Sequence, residues 1–420
     1  MLSHASPFQT RRFPWVVAVV FALLVPGPAS RAALGCTVAV VSGKATPDGR
    51  PLLWKNRDAA DVDNRMMFFR GLKYAFVAVV SAREGEPEGV WAGLNAEGLA
   101  VMNSAASDLS TERRPGNGNG VFMKAALGEC ATVADFEAFL ERTRGQYDLA
   151  ADFGVIDAGG GACFFETSSD GYVKFDAADP RLAPFGYIVR TNYAFTSPDL
   201  LKGGGFIRFE RVSRLFERAR AENRLDLGFI LREAARDLVN EKLHSHPLTA
   251  PLPSDPAFPL YVNTNDTLNR NSTVSVSVFH GAPSRERADL ATMWVLLGQP
   301  VAGVAVPVWP AAGFVPTATA GEKTAPLCDF GRALISYLYP DPRGRMPGYL
   351  NVNRLRACGG EGVLPKLLRV ESEVLSRAAS ALAGWEKAKP APAAVAAFQE
   401  KLASWALDAL RREFQDIKIP

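Results

Sequence analysis

Cys36-Thr37-Val38-Ala39-Val40-Val41, Thr46-Pro47-Asp48-Gly49 and Pro51-Leu52-Leu53-Trp54-Lys55-Asn56-Arg57-Asp58 read as one unit. The first run is short, apolar and rich in β-branched residues, which suits a strand. Pro, Asp and Gly in the second are each suited to a tight reversal. The third reads as the returning strand. Such a hairpin brings Lys55 through Asp58 back beside Cys36. A cation and a carboxylate next to a thiol can orient it and bias its protonation.

The residues upstream make that thiol unusual. Arg11-Arg12, an apolar stretch over residues 16–25, and a Pro-, Ala- and Ser-rich run have the layout of a secretory signal. The apolar stretch is too short for a membrane span. Ala33 and Gly35 stand three and one positions before Cys36, which suits cleavage there. A cut after Ala32 followed by a final trim or self-cleavage is a second route. Thr10-Arg11-Arg12 hints at a twin-arginine signal, and Ala33-Leu34-Gly35-Cys36 approaches a lipobox without its usual first Leu. Cys36 is therefore read as the first mature residue, with a lipidated or simply buried cysteine as the alternatives. An N-terminal cysteine carries a nucleophilic thiol and an α-amine that titrates at roughly 7.7–8.0. That amine can take the thiol proton without a histidine, but only after the preceding peptide bond is cut.

Together the stretch CTVAVVSGKATPDGRPLLWKNRD resembles the start of the cysteine-type N-terminal nucleophile hydrolases. That family includes choloylglycine hydrolase, penicillin V acylase and the isopenicillin N acyltransferase-like proteins. The resemblance implies that Asp58 holds the α-amine. Lys55 stands where the family has arginine, and Arg57 follows two residues on, so either could do the arginine's work. Arg190-Thr191-Asn192-Tyr193 resembles the family's Thr-Asn element, which makes Asn192 the implied oxyanion donor. Asn95-Ala96-Glu97-Gly98-Leu99 resembles the Asn-Glu-x-Gly-Leu signature, with Asn103 the nearest second oxyanion contact. Arg208-Phe209-Glu210-Arg211 resembles Arg-Phe-x-Arg. It implies that Arg208 closes the network round the thiol and that Arg211 is a scaffold charge. Arg57 and Trp54 are read as substrate-binding, with Met66, Met67, Phe68, Phe69 and Trp91 as further candidates for an apolar acyl pocket or for core.

The expected fold class is α+β. Strands are expected near residues 74–81, 88–94, 99–104, 153–158, 162–167, 172–175, 187–191, 273–279 and 292–297. Helices are expected over 121–127, 133–143, 208–220, 227–241, 329–338, 364–387 and 395–414. Antiparallel layers with helices outside follow from this order. The resemblance supplies the four-layer αββα sandwich of antiparallel sheets over about 36–300. The domain reading is a signal peptide (1–35), a hydrolase domain (36–310) and a mostly helical C-terminal extension (311–420), with the Pro- and Ala-rich residues 301–316 as boundary. Residues 113–120, rich in Gly and Asn, read as a lid or an inert surface loop.

Composition narrows the partners. The chain is 48% hydrophobic, enough to bury a sizeable core. Its formal charge of +3 matches the three arginines of residues 1–35, so the mature chain is neutral. That argues against nucleic acid as a partner. His244-Ser245-His246 lacks acidic or Cys companions and reads as a solvated loop, so no metal and no cofactor is expected. Cys130, Cys163, Cys328 and Cys358 allow three pairings in an oxidising compartment, Cys328–Cys358 being the first choice, and Cys163 also suits a core strand. The expected activity is hydrolysis of linear, non-peptide amide bonds of N-acyl amides through a thioester, in a secreted or periplasmic protein. An acyltransferase and a non-catalytic lipoprotein acylated at Cys36 are the alternatives. No integral span is expected in the mature chain, and homo-oligomerisation stays open.

Overall fold

A computed structural model describes residues 35–82, 85, 87–109, 118–169, 171–243, 246–253, 255, 258–340, 348–357 and 361–417. The chain opens with the hairpin β1 (Thr37–Val41) and β2 (Leu52–Asp58). It continues through β3 (Asn64–Phe69), β4 (Phe76–Ser81), β5 (Ala92–Asn95) and β6 (Ala100–Ala105) to helices α1 (Asn119–Glu129) and α2 (Val133–Arg142). Next come β7 (Ala151–Ile156), β8 (Ala162–Ser168), β9 (Gly171–Asp176), β10 (Tyr187–Arg190), α3 (Phe206–Ala221) and the single turn α4 (Leu227–Phe229). Then follow β11 (Tyr261–Asn263), β12 (Thr273–His280), β13 (Thr292–Leu297), β14 (Val306–Val308) and α5 (Pro326–Leu338). The last elements are β15 (Tyr349–Asn351), α6 (Val352–Arg356), α7 (Val363–Lys387) and α8 (Pro392–Glu413).

Two antiparallel sheets carry the architecture. One has the order β10-β1-β2-β12-β13-β14, the other β3-β4-β5-β6-β7-β8-β9. They face each other, and a Cβ at Gly154 in β7 would come 2.2 Å from Met102 and 2.8 Å from Leu53 of the facing sheet's β2. Glycine there lets the two layers approach. Helices α1 and α2 cover the outer side of the seven-stranded sheet, through Phe122, Phe136, Phe139, Phe153 and Phe165. Helix α3 covers the six-stranded sheet and turns Arg208, Val212, Leu215, Phe216 and Ala219 inward at helical spacing. The result is helix, sheet, sheet, helix, as the resemblance implied. The C-terminal helices α7 and α8 share the core with the six-stranded sheet. Residues 306–308, inside the Pro- and Ala-rich stretch, form that sheet's edge strand β14.

Local chemistry explains several boundaries. Thr132 and Asp135 form a reciprocal capping box at the start of α2. Asn95 Oδ1 accepts from the N–H groups of Glu97 and Leu99, and Gly98 has φ +79°, so the Asn-Glu-x-Gly-Leu resemblance is a tight turn. Expectation and structure part company at 227–241. Only Leu227–Phe229 is α-helical, followed by one π-turn, Ile230–Ala234. Tertiary partners take the backbone acceptors a longer helix would need. Asn56 Nδ2 donates to Ala235 O, and Asn269 N donates to Asp237 O. Arg236 turns inward to Glu371 and to the carbonyls of Leu231, Pro300 and Gly303. The strand expected from residue 88 begins at Ala92, because Val90 N donates to Gly120 O at the start of α1. Strand β3 takes the residues read as pocket candidates, and Met66 is buried between the sheets.

Candidate active site

All seven residues of β2 are buried, although four are polar. Both faces of the strand are covered, so its alternation sorts residues between two buried environments. Lys55 and Arg57 point one way. Trp54 and Asn56 point the other, and Asp58 ends the strand at a register shift against β12. Asn56 is structural, accepting from Trp54 Nε1 at 2.9 Å and donating to Ala235 O and Leu268 O. Trp54 is fully buried and stacks on Phe216 of α3 at 5.9 Å. It therefore sits in the core behind the strand and does not line the cavity beside Cys36. Among the described residues the aromatic side chain at that cavity is Trp91.

The cavity has a volume of about 760 Å³. Cys36, Lys55, Arg57, Asp58, Trp91 and Asn103 line it, with Gly118, Asn119 and Gly120 at the start of α1 along one side. Cys36 is 8% exposed. The register Thr37↔Asn56 and Val38↔Lys55 puts the end of β2 beside the start of β1. Lys55 Nζ donates to Asn103 Oδ1 at 2.8 Å and to Trp91 O at 2.9 Å. Burial lowers the Lys55 pKa to about 8, against an opposing pull from Cys36. Burial lowers Arg57 to about 10. Burial also raises Asp58, with Arg270 and Arg208 opposing.

Arg270 had no part in the sequence reading. Its Nη1 lies 2.9 Å from Asp58 Oδ2 and 3.5 Å from Gly35 O, while Thr273 Oγ1 donates to Asp58 Oδ1 at 2.7 Å. The only local signal is Arg270-Asn271-Ser272-Thr273 immediately before β12. Nothing in that tetrapeptide distinguishes it from ordinary turn sequence.

Asn192 and Arg208 come together on the other side of Cys36. Arg208 Nη1 donates to Cys36 O at 2.7 Å and Thr37 Oγ1 at 2.9 Å, and its Nη2 donates to Asn192 Oδ1 at 2.6 Å. Burial lowers the Arg208 pKa to about 10. Asn192 Nδ2 donates to Ala105 O and Ser104 Oγ. Gly205, the N-cap of α3 at φ +83°, makes room for this arginine, since a Cβ there would lie 2.5 Å from Arg208 Nη2. Gly35 packs directly on the pair. A Cβ at Gly35 would come 2.0 Å from Asn192 Oδ1 and 2.8 Å from Arg208 Nη2. With the Gly35–Cys36 peptide intact, Gly35 fills the ground in front of Asn192, which is not part of the cavity wall. Arg211 pairs with Asp237 and Glu241 as a scaffold charge.

The other described cysteines are unlike Cys36 in setting. Cys130 and Cys163 are buried in the seven-stranded sheet's outer core, where burial pushes both thiols up to about 12. Burial also raises Cys328, a free thiol that donates to Val62 O. Cys358 lies outside the described residues, and with it the Cys328–Cys358 pairing. Residues 1–34, His244, Ser245 and most of the 113–120 loop also lie outside them. Among the described residues, no helix is long and apolar enough to cross a membrane.

No family model matches this chain, and no curated protein does. Solved structures similar to it include penicillin V acylase from Agrobacterium tumefaciens, at 15% identity and a TM-score of 0.39, covering 65% of this chain and 85% of that one. Two variants of conjugated bile acid hydrolase from Clostridium perfringens match at 12% identity, with TM-scores of 0.39 and 0.38. They cover 65% and 66% of this chain, and each match spans 92% of the hydrolase.

Proposed function

We propose that this protein is a hydrolase of linear amide C–N bonds whose nucleophile is Cys36, freed as the mature N-terminus. The observation that carries the reading is the convergence on one cysteine. Its thiol side opens on a cavity shared with Lys55, Asp58 and Asn103, and its backbone is gripped by Arg208, which also holds Asn192.

In the proposed reaction the Cys36 α-amine takes the thiol proton and the sulfur attacks the amide carbonyl. Removal of Gly35 vacates the space in front of Asn192. Its Nδ2, by exchanging its bond to Ala105 O, and Asn103 meet the oxyanion. The ammonium gives its proton to the leaving amine as the C–N bond breaks, which leaves a thioester. Water, deprotonated by the same amine, then releases the acid. Asp58, steadied by Arg270 and Thr273, holds the amine. Lys55 supplies a positive charge beside the sulfur. Secretion behind a cleaved signal peptide belongs to the same reading, since cleavage creates the amine. The burial of Cys36 under Arg208 speaks against a lipid anchor at that residue.

The test is a panel of N-acyl amides assayed on protein beginning at Cys36. Cys36→Ala should abolish hydrolysis while circular dichroism stays unchanged, and Cys36→Ser should leave at most a trace. Iodoacetamide should label Cys36 ahead of Cys130, Cys163 and Cys328, and substrate should protect it. Retained turnover in folded Cys36→Ala removes the proposal.

A further inference from the structure

Arg270 reaches Asp58 from the connection between β11 and β12, residues 264–272, and that connection is pinned from two sides. It leaves from β11, which pairs with β15 of the C-terminal region. Thr264 N donates to Gly348 O, just before β15, at 2.8 Å, and Thr264 Oγ1 donates to the same oxygen at 3.0 Å. The residues on either side of Arg270 are held by one side chain. Gln299, just past β13 and 5% exposed, donates from Nε2 to Asn271 O at 3.0 Å. Its Oε1 accepts from Asn269 Nδ2 at 3.4 Å. Asn269 is fully buried, its N donating to Asp237 O and its Oδ1 accepting from Val301 N. The Gln299 amide is oriented by Tyr339, the residue that follows α5. The Tyr339 hydroxyl donates to Gln299 Oε1 at 3.1 Å and lies 3.0 Å from Thr264 Oγ1. Burial raises the pKa of that hydroxyl, so it keeps its proton and remains a donor. Within this frame Arg270 makes short local bonds, from Nε to Asn265 O at 2.6 Å and from its backbone N to Thr273 Oγ1 at 2.9 Å.

A glutamine amide carries an acceptor on one side and donors on the other, and turning it over exchanges them. With the Tyr339 hydroxyl donating, the amide oxygen faces Tyr339 and Asn269, which leaves Nε2 for Asn271 O. A guanidinium that neutralises a buried carboxylate works only when the groups behind it hold it in place. Resting on the reading that Asp58 holds the Cys36 α-amine, we propose that the C-terminal region is a working part of the site, with Tyr339 acting through Gln299 to position Arg270 against Asp58. Both are positioning residues, and neither is among the described residues that line the cavity beside Cys36. Their effect on the chemistry is electrostatic. They fix how much of the Asp58 charge the amine and thiol of Cys36 experience.

The test uses the chain beginning at Cys36 and needs no substrate. The rate of Cys36 alkylation by iodoacetamide, followed from about pH 5 to about pH 10, reads the apparent pKa of the thiol–amine pair. Tyr339→Phe removes one hydroxyl and keeps the ring. Gln299→Met keeps the length and removes the amide. With Arg270 less firmly held, Asp58 is less neutralised, and its charge favours the protonated forms of both amine and thiol. The apparent pKa should therefore rise by about 0.5 to 1 in each variant, with circular dichroism unchanged. Arg270→Gln should raise it at least as far. Gln299→Met added to Arg270→Gln should add nothing, because Gln299 acts through Arg270, and an additive rise overturns the proposal. Where Arg270→Gln does not fold, Arg270→Lys takes its place. An unmoved or lowered value in either folded Tyr339→Phe or Gln299→Met, with Arg270→Gln raised, overturns this inference alone. An unmoved value in Arg270→Gln removes Asp58 from the amine and the inference with it. Failure to hydrolyse any amide, alongside the expected shifts, sinks the hydrolase reading alone.

Discussion

Lys55 offers a test of the site that needs no substrate. Its ammonium is 2% exposed, and burial lowers its pKa to about 8. In the unfolded chain a lysine titrates near ~10.4. Below about pH 8 both states are protonated, and the folded state bears the full cost of holding a dry cation. Between about 8 and 10.4 the unfolded chain keeps the proton and the folded chain sheds it, so this cost fades and stability rises with pH. Two pH units at about 1.4 kcal/mol each make the change roughly 2–3 kcal/mol between pH 7 and pH 10. Lys55→Met removes the titrating group at similar length. Both proteins should carry Cys36→Ala, because Cys36 opposes the shift at Lys55 and its removal widens the span. Urea unfolding at pH 7 and pH 10 gives the stability difference between Lys55→Met and its parent at each pH. The advantage of the methionine protein should fall by roughly 2–3 kcal/mol from pH 7 to pH 10. Hydrogen bonds lost at Trp91 O and Asn103 Oδ1 cancel in this comparison, since they are lost at both pH values. A change below about 0.5 kcal/mol would refute the idea that Lys55 is held as a desolvated cation beside Cys36.

Three further outcomes follow. Asn192→Ala should stay folded and lower turnover by about 10²–10³-fold, the cost of one oxyanion donor, and wild-type turnover would remove Asn192 from the reaction. A chain with one uncleavable residue before Cys36 should be as inactive as Cys36→Ala, because its amine is an amide and the added residue stands against Asn192. Full activity there would refute catalysis by the N-terminal amine. Glu371→Gln should lower stability at neutral pH by about 3–5 kcal/mol, because it strands Arg236, whose pair with Glu371 is 1% and 0% exposed. An unchanged urea midpoint would show that α7 is held without that pair.

The hairpin, the helices α2 and α3 and the three long C-terminal helices were legible because each rests on neighbours within a few residues. Periodicity, turn residues and caps are local properties, and a single sequence displays them. Cys36, Asp58, Asn192 and Arg208 were legible as candidates because each stands in a short run resembling a family motif. The sequence could not say which face of β2 opens on the cavity. Lys55 and Arg57 reach it and Trp54 does not, because covering both faces makes every residue of the strand buried and erases the usual polar-out signal. The helix expected over 227–241 ends early because acceptors at Ala235 and Asp237 are claimed by Asn56 and by the backbone of Asn269. Those residues are close only in space. Arg270 is the plainest case. It lies 212 positions from Asp58 in the chain, and only the pairing of β12 with β2 places its guanidinium on that carboxylate. Local sequence thus determined most of the long elements and named candidates for the site. The tertiary structure decided which buried charges meet, because cross-strand register and layer packing depend on the whole chain at once.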